Sequence, residues 1–145
     1  MSEIVITPAT PADTPAIFSL LERCDLPTAG LVHHLAEAIV ARKCSEVVGS
    51  AVFELYGGDA LLRSVAVAAS ERGTRIGHRL TELSLARAKG RSVRVVYLLT
   101  TTAERFFPRF GFEEIERSEV PAAVRQSIEF TSACPASAIV MRVRL

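Results

Sequence analysis

A strand-to-helix junction near the middle of the chain combines residue types that could bind phosphate. Residues 61–67 lie on a predicted strand, and RGTRIG (residues 72–77) follows where an amphipathic helix begins. A helix N-terminus exposes unpaired N–H groups and a partial positive charge, and glycines let a phosphate approach the backbone closely. Arginines add charged donors suited to phosphate. The spacing therefore predicts either a diphosphate site or, equally, a turn whose glycine only satisfies backbone geometry.

Common nucleotide-binding loops do not explain this junction. No Lys-Ser or Lys-Thr pair follows, as a Walker A loop requires, and Gly73 and Gly77 do not make a GxGxxG pattern. Residues 63–94 hold eight bases and two acids, whereas residues 1–40 hold one base and five acids. The bases at 87–94 are typical of a solvated helix face. The sequence thus favours an anion site at the start of the helix and disfavours nucleotide hydrolysis.

The elements that position this junction mix strands with helices. Apolar residues spaced i, i+3, i+4 and i+7 from Ile17 to Cys24 predict an amphipathic helix that begins at the capping residue Thr10. Because hairpins and one helical crossover both occur, we expect an α/β (α+β) fold with a mixed sheet. The predicted strands are 2–7, 38–42, 46–56, 60–68, 93–100, 112–116 and 138–143, and the predicted helices are 10–24, 29–37, 76–90 and 103–110, with a helical turn at 121–126.

Composition limits the class of protein. The chain has 145 residues, 49% of them hydrophobic, and a net charge of +1, so we expect one domain over residues 1–145 and no strongly basic nucleic-acid-binding surface. No apolar run reaches membrane-spanning length, and the first ten residues lack a secretory signal. Cys24, Cys44 and Cys134 form neither a disulfide framework nor a metal-binding pair, which favours a cytoplasmic location.

Two segments together resemble the GNAT family of acyl-CoA-dependent N-acetyltransferases. VAV (residues 65–67) followed by RGTRIG is similar to the family's Q/R-x-x-G-x-G/A diphosphate loop, except that Arg75 stands where the first motif glycine usually is. TTTAERFFPRFGF (residues 100–112) matches the family's strand end, small helix and aromatic-x-x-x-G-F pattern. The resemblance implies the GNAT fold: a single, mostly antiparallel sheet of roughly six or seven strands flanked by about four helices.

A narrower likeness concerns short motifs spread along the chain. LPT (residues 26–28), LLRS (61–64), the stretch from AE to GF (103–112), VP (120–121) and CPASA (134–138) look like the GNAT subgroup associated with arsenic-resistance operons. This likeness indicates a genetic neighbourhood better than it indicates a substrate.

The family resemblance assigns the co-substrate, acetyl-CoA, to the junction. The main chain at residues 65–67 would hold pantetheine and the thioester carbonyl, and the N–H of Val67 would stabilise the oxyanion. Phe107 aligns with a tyrosine that protonates the departing thiolate, so that role is vacant; Tyr97, Ser64 and Cys134 are the substitutes considered. The implied cofactor-binding set is Val65, Ala66, Val67, Arg72, Gly73, Thr74, Arg75, Ile76, Gly77, His78, Thr100 and Phe107.

Two charged strand residues are candidates for the acceptor side. By alternation Glu54 lies opposite Phe53 and Leu55, so it either faces solvent or accepts the amine proton, through a water. Arg63 follows two leucines on the cofactor-binding strand, where an unpaired charge is costly. It is predicted either to clamp a substrate carboxylate or to pair with an acid such as Glu54.

The function implied is transfer of an acetyl group, by direct attack, to the primary amine of a small amino-acid-like substrate, with an arsenical or phosphinic analogue among the acceptors considered. Two alternatives stay open: an acyl-CoA-binding module without turnover, and acetylation of protein N-termini or lysines. We expect no metal, because His33 and His34 lack a second ligand cluster. We expect neither nucleic-acid nor membrane partners, and residues 138–143 are a candidate homodimer strand.

Overall fold

The computed structural model describes residues 3–135 and 137–145. Over those residues, seven strands form one sheet in the order β1-β2-β3-β4-β5-β7-β6. The mixed, mostly antiparallel sheet confirms the predicted fold class. The strands are β1 (Ile4–Pro8), β2 (Ile39–Lys43), β3 (Glu46–Tyr56), β4 (Asp59–Val67), β5 (Val95–Thr100), β6 (Glu113–Ile115) and β7 (Ile139–Arg144).

The helices cover the sheet and connect its strands. The α-helices are α1 (Thr14–Arg23), α2 (Ile76–Gly90) and α3 (Ala122–Arg125), and shorter 3-10 segments lie at Pro11–Asp13, Leu31–Glu37, Ala69–Glu71, Phe107–Phe110 and Arg117–Glu119, with one π-helical turn at Glu129–Ala133. The apolar face of α1, including Ile17 and Leu20, is fully buried, as is Leu80 of α2. Among the described residues, no helix is both long enough and apolar enough to cross a bilayer.

The sheet opens at the point where β4 and β5 separate. These two strands pair in parallel over only three positions, from Asp59 with Val95 to Leu61 with Tyr97. The other five neighbouring pairs in the described sheet are antiparallel. The chain reaches β5 from β4 through α2, the crossover that a parallel pair requires. Beyond Leu61 the two strands diverge, and a gap opens beside the start of α2.

Two predicted helices are shorter than expected. Residues 29–37 form only a seven-residue 3-10 segment, which begins after Gly30 in a left-handed conformation (φ 74°). Residues 103–110 form a turn followed by a 3-10 segment, in which Pro108 has no N–H to continue an α-helical hydrogen-bond ladder. The first predicted strand begins at Ile4, and its Ser2 lies outside the described residues.

Candidate active site

The gap between β4 and β5 forms a cavity of about 990 Å³. One wall is β4, from residue 62 to residue 67, and the other is the end of β5 with residues 101–103. The loop at 71–73 and the first residues of α2 close one end. Glu129, Cys134 and Pro135 lie at the other. The structure therefore gathers into one cavity segments that are far apart in sequence.

A β-bulge turns the backbone of β4 toward this cavity. Ser50 of β3 pairs with Ala66, whereas Val52 pairs with Arg63, so β4 holds one extra residue over this stretch. Ser64 adopts a left-handed conformation (φ 58°), and its carbonyl accepts a hydrogen bond of 2.8 Å from the Ser50 hydroxyl. Bulges re-aim a strand and interrupt its pairing. Here the bulge immediately precedes residues 65–67, all of which line the cavity.

The predicted diphosphate loop lies at one end of the cavity. Gly73 has φ 86°, and a Cβ added there would meet no atom within 4 Å. Arg75 has φ 66° and is the N-cap of α2. It therefore takes a conformation that glycine adopts at little cost, at the site where the family motif usually has glycine. Thr74 points the other way, since its hydroxyl donates to the Glu71 carbonyl.

The predicted cofactor-binding residues converge on this cavity. Eleven of the twelve line it, and Thr74 is the one outside the lining. The Thr100 hydroxyl accepts a hydrogen bond of 2.9 Å from the Ala103 N–H, so it caps the turn after β5. Phe107 is 7% exposed and packs edge-on against Phe112, with ring centroids 5.7 Å apart. Its ring fills the cavity wall without supplying a hydroxyl.

Arg63 lies at the other end of the cavity and is fully engaged in contacts with the protein. Its side chain is 0% exposed, and Nη1 donates to Glu54 Oε2 and to the Ala29 carbonyl, both at 2.9 Å. Nη2 lies 3.2 Å from the Pro27 carbonyl and 3.5 Å from Glu129. The salt bridge with Glu54, one of the two interpretations of Arg63, is present. A carboxylate clamp would require the guanidinium to give up some of these partners.

Glu54 lies behind Arg63, outside the cavity lining. The expectation that it faces solvent is wrong, because residues 31–37 cover the second face of β3 and leave Glu54 0% exposed. Burial alone would raise the pKa of Glu54, but hydrogen bonds from Ser127, Tyr56 and Arg63 outweigh burial and lower it. His34 adds a contact of 3.6 Å, and burial lowers the pKa of that imidazole.

Glu129 is a cavity residue that the sequence reasoning missed. It is 4% exposed and lines the cavity. Its Oε2 lies 3.5 Å from Arg63 Nη2, although the two residues are far apart in sequence. Burial raises its pKa, although the charge of Arg63 acts in the opposite direction. The thiol of Cys134 is influenced by this carboxylate, and burial together with the adjacent charge of Glu129 raises the thiol pKa to about 12. The sequence feature that could have identified Glu129 is its single charge between two apolar residues, Ile128 and Phe130.

The remaining sequence candidates are spread over the structure. Ser64 lines the cavity and accepts a hydrogen bond of 3.2 Å from Arg63 Nε. Tyr97 is 5% exposed on β5 and lies outside the cavity lining. Within residues 3–135 and 137–145, no three His, Cys, Asp or Glu side chains are arranged to hold a metal ion. The CPASA motif is described except for Ala136, which lies outside the described residues.

Known structures share this architecture. Rv2747 from Mycobacterium tuberculosis, in complex with CoA, is 26% identical over 97% of this chain and 99% of its own, with a TM-score of 0.83. N-acetylglutamate synthase from Neisseria gonorrhoeae, complexed with coenzyme A and N-acetyl-glutamate, is 19% identical with a TM-score of 0.84. This chain is covered completely in that match but spans only 36% of the synthase. The ribosomal-protein-S18-alanine N-acetyltransferase from Escherichia coli is 16% identical over 98% of this chain and 94% of its own, with a TM-score of 0.73.

Comparison with curated proteins finds no match. A family model for the acetyltransferase (GNAT) domain, in contrast, matches residues 34–114, which is more than half of the chain. The matched stretch runs from before β2 through the bulged strand, the loop and α2 to β6, and so includes both walls of the cavity. The chain therefore belongs to the GNAT acetyltransferase family.

Proposed function

We propose that this chain transfers the acetyl group of acetyl-CoA directly to the primary amine of a small amino-acid-like substrate. The observation that carries the proposal is the separation of β4 from β5 beside the N-terminus of α2, which joins an anion site and a strand edge in one cavity. The diphosphate of CoA needs the anion site, and its extended pantetheine needs the strand edge. The CoA complexes of two structurally similar proteins, Rv2747 and the Neisseria synthase, support this use of the cavity.

The diphosphate would bind to the backbone N–H groups of residues 72–77. The first turn of α2 leaves its N–H groups unpaired, and its partial positive charge favours an anion, whereas the Arg72 N–H already donates to the Ala69 carbonyl at 3.4 Å. Arg72 and Arg75 are exposed and line the cavity, so they can add charge-assisted contacts. Glu71 also lies at this end, and Lys43 offsets its charge at 3.1 Å.

The thioester would lie along residues 65–67, past the bulge. There we propose that the Val67 N–H polarises the thioester carbonyl and stabilises the oxyanion that forms when the amine attacks. The amine nitrogen bonds to the carbonyl carbon, the C–S bond breaks, and CoA leaves as a thiolate that takes up a proton. Thr100 and Phe107 line the wall beside this path. A cofactor thiol is a tolerable leaving group, so Phe107 in place of an acidic hydroxyl slows this step without preventing it.

A direct transfer fits the cysteines of the cavity better than an acyl-enzyme does. The raised pKa of Cys134, about 12, keeps its thiol protonated at neutral pH, and the thiolate is the nucleophilic form. The Cys24 thiol lies 3.7 Å from the Val67 carbonyl, to which it donates.

The acceptor is proposed to be a small amino-acid-like amine, including an arsenical or phosphinic analogue as the arsenic-resistance likeness suggests. The acceptor end is bounded by buried side chains, Arg63 and Glu129, which suits a small molecule. The synthase complexed with N-acetyl-glutamate is an example, in a structurally similar protein, of an acetylated amino acid as ligand.

A second candidate function is an acyl-CoA-binding module without turnover, which the hydroxyl-free Phe107 favours. Calorimetry with CoA and acetyl-CoA, followed by thiol release from acetyl-CoA across amines, separates the two. We expect binding of both ligands and release that depends on an amino-acid-like amine. Binding without release would favour the module, and release only with peptides would favour acetylation of proteins. Absence of CoA binding would overturn the proposed function.

A further inference from the structure

We propose that Glu129 receives the ammonium group of the acceptor and takes its proton. The inference rests on the proposed acetyl transfer and adds to it the residue that selects the amine. Glu54, the sequence-based candidate for the proton acceptor, then acts on the acceptor only by positioning Arg63.

The positions of the two carboxylates around Arg63 distinguish their roles. Glu129 lines the cavity, whereas Glu54 lies outside the lining with Arg63 between it and the cavity. An amine in the cavity can therefore reach Glu129 without displacing any residue. To reach Glu54, the amine would have to break a 2.9 Å ion pair with a guanidinium that is 0% exposed.

The charge of this buried group leaves a place for a cation. Arg63 is one positive charge held between two carboxylates, Glu54 and Glu129, and burial disfavours the charged form of His34. With Glu129 ionised, the group carries one negative charge in excess. A buried charge is tolerated only when paired, so an ammonium group at Glu129 balances the group and an anion there is repelled.

The hydrogen-bonding capacity of Glu129 is consistent with this. An ionised carboxylate offers about four lone-pair sites. Arg63, at 3.5 Å, and Cys134 are two neighbours that already act on it. An ammonium group brings three N–H donors and no acceptor, as does a lysine side chain. The complementarity favours a primary amine over an alcohol, which offers one donor.

The proton transfer balances without a further reactant. The acceptor ammonium gives one proton to the Glu129 carboxylate, and the nitrogen lone pair then forms the N–C bond with the acetyl carbon. The C–S bond breaks and its electron pair leaves on sulfur. The second nitrogen proton converts that thiolate to the free thiol, and Glu129 returns its own proton to solvent. Burial raises the pKa of Glu129 and so makes its carboxylate a stronger base.

The groups that act on Glu129 determine the expected pH dependence. Burial and the charge of Glu54 raise its pKa, whereas Arg63 and the hydrogen bond from Cys134 lower it. Glu54 has a lowered pKa and stays ionised throughout the range in which Glu129 titrates. Activity should therefore rise with pH as Glu129 ionises, above the usual range for a glutamate. His34 and Tyr56 act on this cluster through Glu54, and the charge of Arg117 acts on it through Cys134.

The test compares Glu129→Gln and Glu129→Asp with the unaltered chain. Thiol release from acetyl-CoA is followed across pH with a panel of L-amino acids, amino-acid amides and n-alkylamines, and CoA affinity is measured by calorimetry. We expect Glu129→Gln to lower amine-dependent kcat/KM about 100-fold and to lose the rising limb of the pH profile, with CoA affinity unchanged. Glu129→Asp should recover part of the activity, with the limb displaced. Glu104→Gln, an exposed carboxylate beside Ala103, is the matched control and should change neither.

The following outcomes would overturn the inference. Full activity of Glu129→Gln, or a pH profile of Glu129→Asp identical to that of the unaltered chain, would exclude Glu129 as the proton acceptor. If Glu129→Gln does not fold, the Asp profile alone decides. CoA binding with no turnover of any amine in the panel would remove both the inference and the acceptor part of the proposed function. Failure to bind CoA would remove the proposed function itself.

Discussion

The two ends of the cavity are built on different principles. At the loop end, the proposed donors to the diphosphate are backbone N–H groups at residues 72–77, and the flanking arginines are exposed. At the acceptor end, side chains from three separate segments meet, and Glu54, Arg63 and Glu129 are each less than 5% exposed. A backbone site tolerates changes of side chain, whereas a buried charge cluster tolerates few. The difference indicates that cofactor binding and acceptor chemistry can be altered separately.

Removing Arg63 should produce the largest effect on stability. Arg63→Met leaves Glu54 buried with no cation beside it, and breaking a buried pair in this way costs about 3–5 kcal/mol of unfolding free energy. Chemical denaturation measures the loss. Arg105→Met, which removes an exposed arginine, is the matched control and should change stability by less than about 0.5 kcal/mol.

The double variant Arg63→Met/Glu54→Gln sharpens this expectation. Removing both charges should be less destabilising than removing Arg63 alone, because the uncompensated carboxylate disappears. A double variant that loses the sum of the two single losses would show that the two residues are not coupled. The difference between the acceptor end and the loop end would then lose its physical basis.

Glu54→Gln should have a smaller effect on stability and a limited effect on chemistry. The amide keeps the size of the side chain but removes the charge that faces Arg63, which costs about 1–3 kcal/mol. Because Glu54 lies outside the cavity lining, we expect kcat to fall less than in Glu129→Gln. Denaturation and thiol-release kinetics on the same preparations measure both. If Glu54→Gln loses more activity than Glu129→Gln, the original assignment of Glu54 as the proton acceptor is the better one.

The loop end should respond to salt, unlike the acceptor end. Arg72, Arg75 and Arg109 line the cavity and are exposed, so their attraction for the CoA phosphates is screened by ions. We expect CoA affinity to fall about tenfold between roughly 0.05 and 0.5 M salt. Calorimetry at a series of salt concentrations measures it. The unfolding free energy, to which the buried Arg63 cluster contributes, should change little over the same range of salt. A CoA affinity that does not change with salt would contradict the proposed role of these three arginines.

The same contrast explains what the sequence could predict. The loop end is local: one strand, one loop and one helix start lie within about twenty residues, and the alternation and capping rules identify them. The acceptor end is not local. Arg63 meets carboxylates from β3 and from the π-helical turn, and only the folded chain brings Glu129 to it. Alternation gave the wrong environment for Glu54, because β3 is covered on both faces.

The predicted helix lengths were wrong for a related reason. Residues 29–37 are predicted to form one helix, yet Gly30 has φ 74°, outside the helical region, and a Cβ there would come within 2.6 Å of Ile128. This contact involves a residue almost one hundred positions away, so no local pattern reports it. The strand boundaries, by contrast, were within two residues wherever β-branched runs ended at turns, as for β3, predicted and observed at residues 46–56.

Arg75 offers the most delicate way to separate backbone from side chain at the loop end. Its φ of 66° strains a residue with a Cβ, and glycine is also accepted at an N-cap. Arg75→Gly should therefore raise the unfolding free energy by about 0.5–1 kcal/mol, whereas Arg75→Ala, which keeps the strain, should not. Both variants lose one exposed charge and should weaken CoA binding by about threefold. Denaturation and calorimetry on the pair distinguish the two contributions. A loss of CoA affinity well above tenfold in both would mean that the guanidinium, and not the main chain, holds the diphosphate, and the contrast between the two ends of the cavity would disappear.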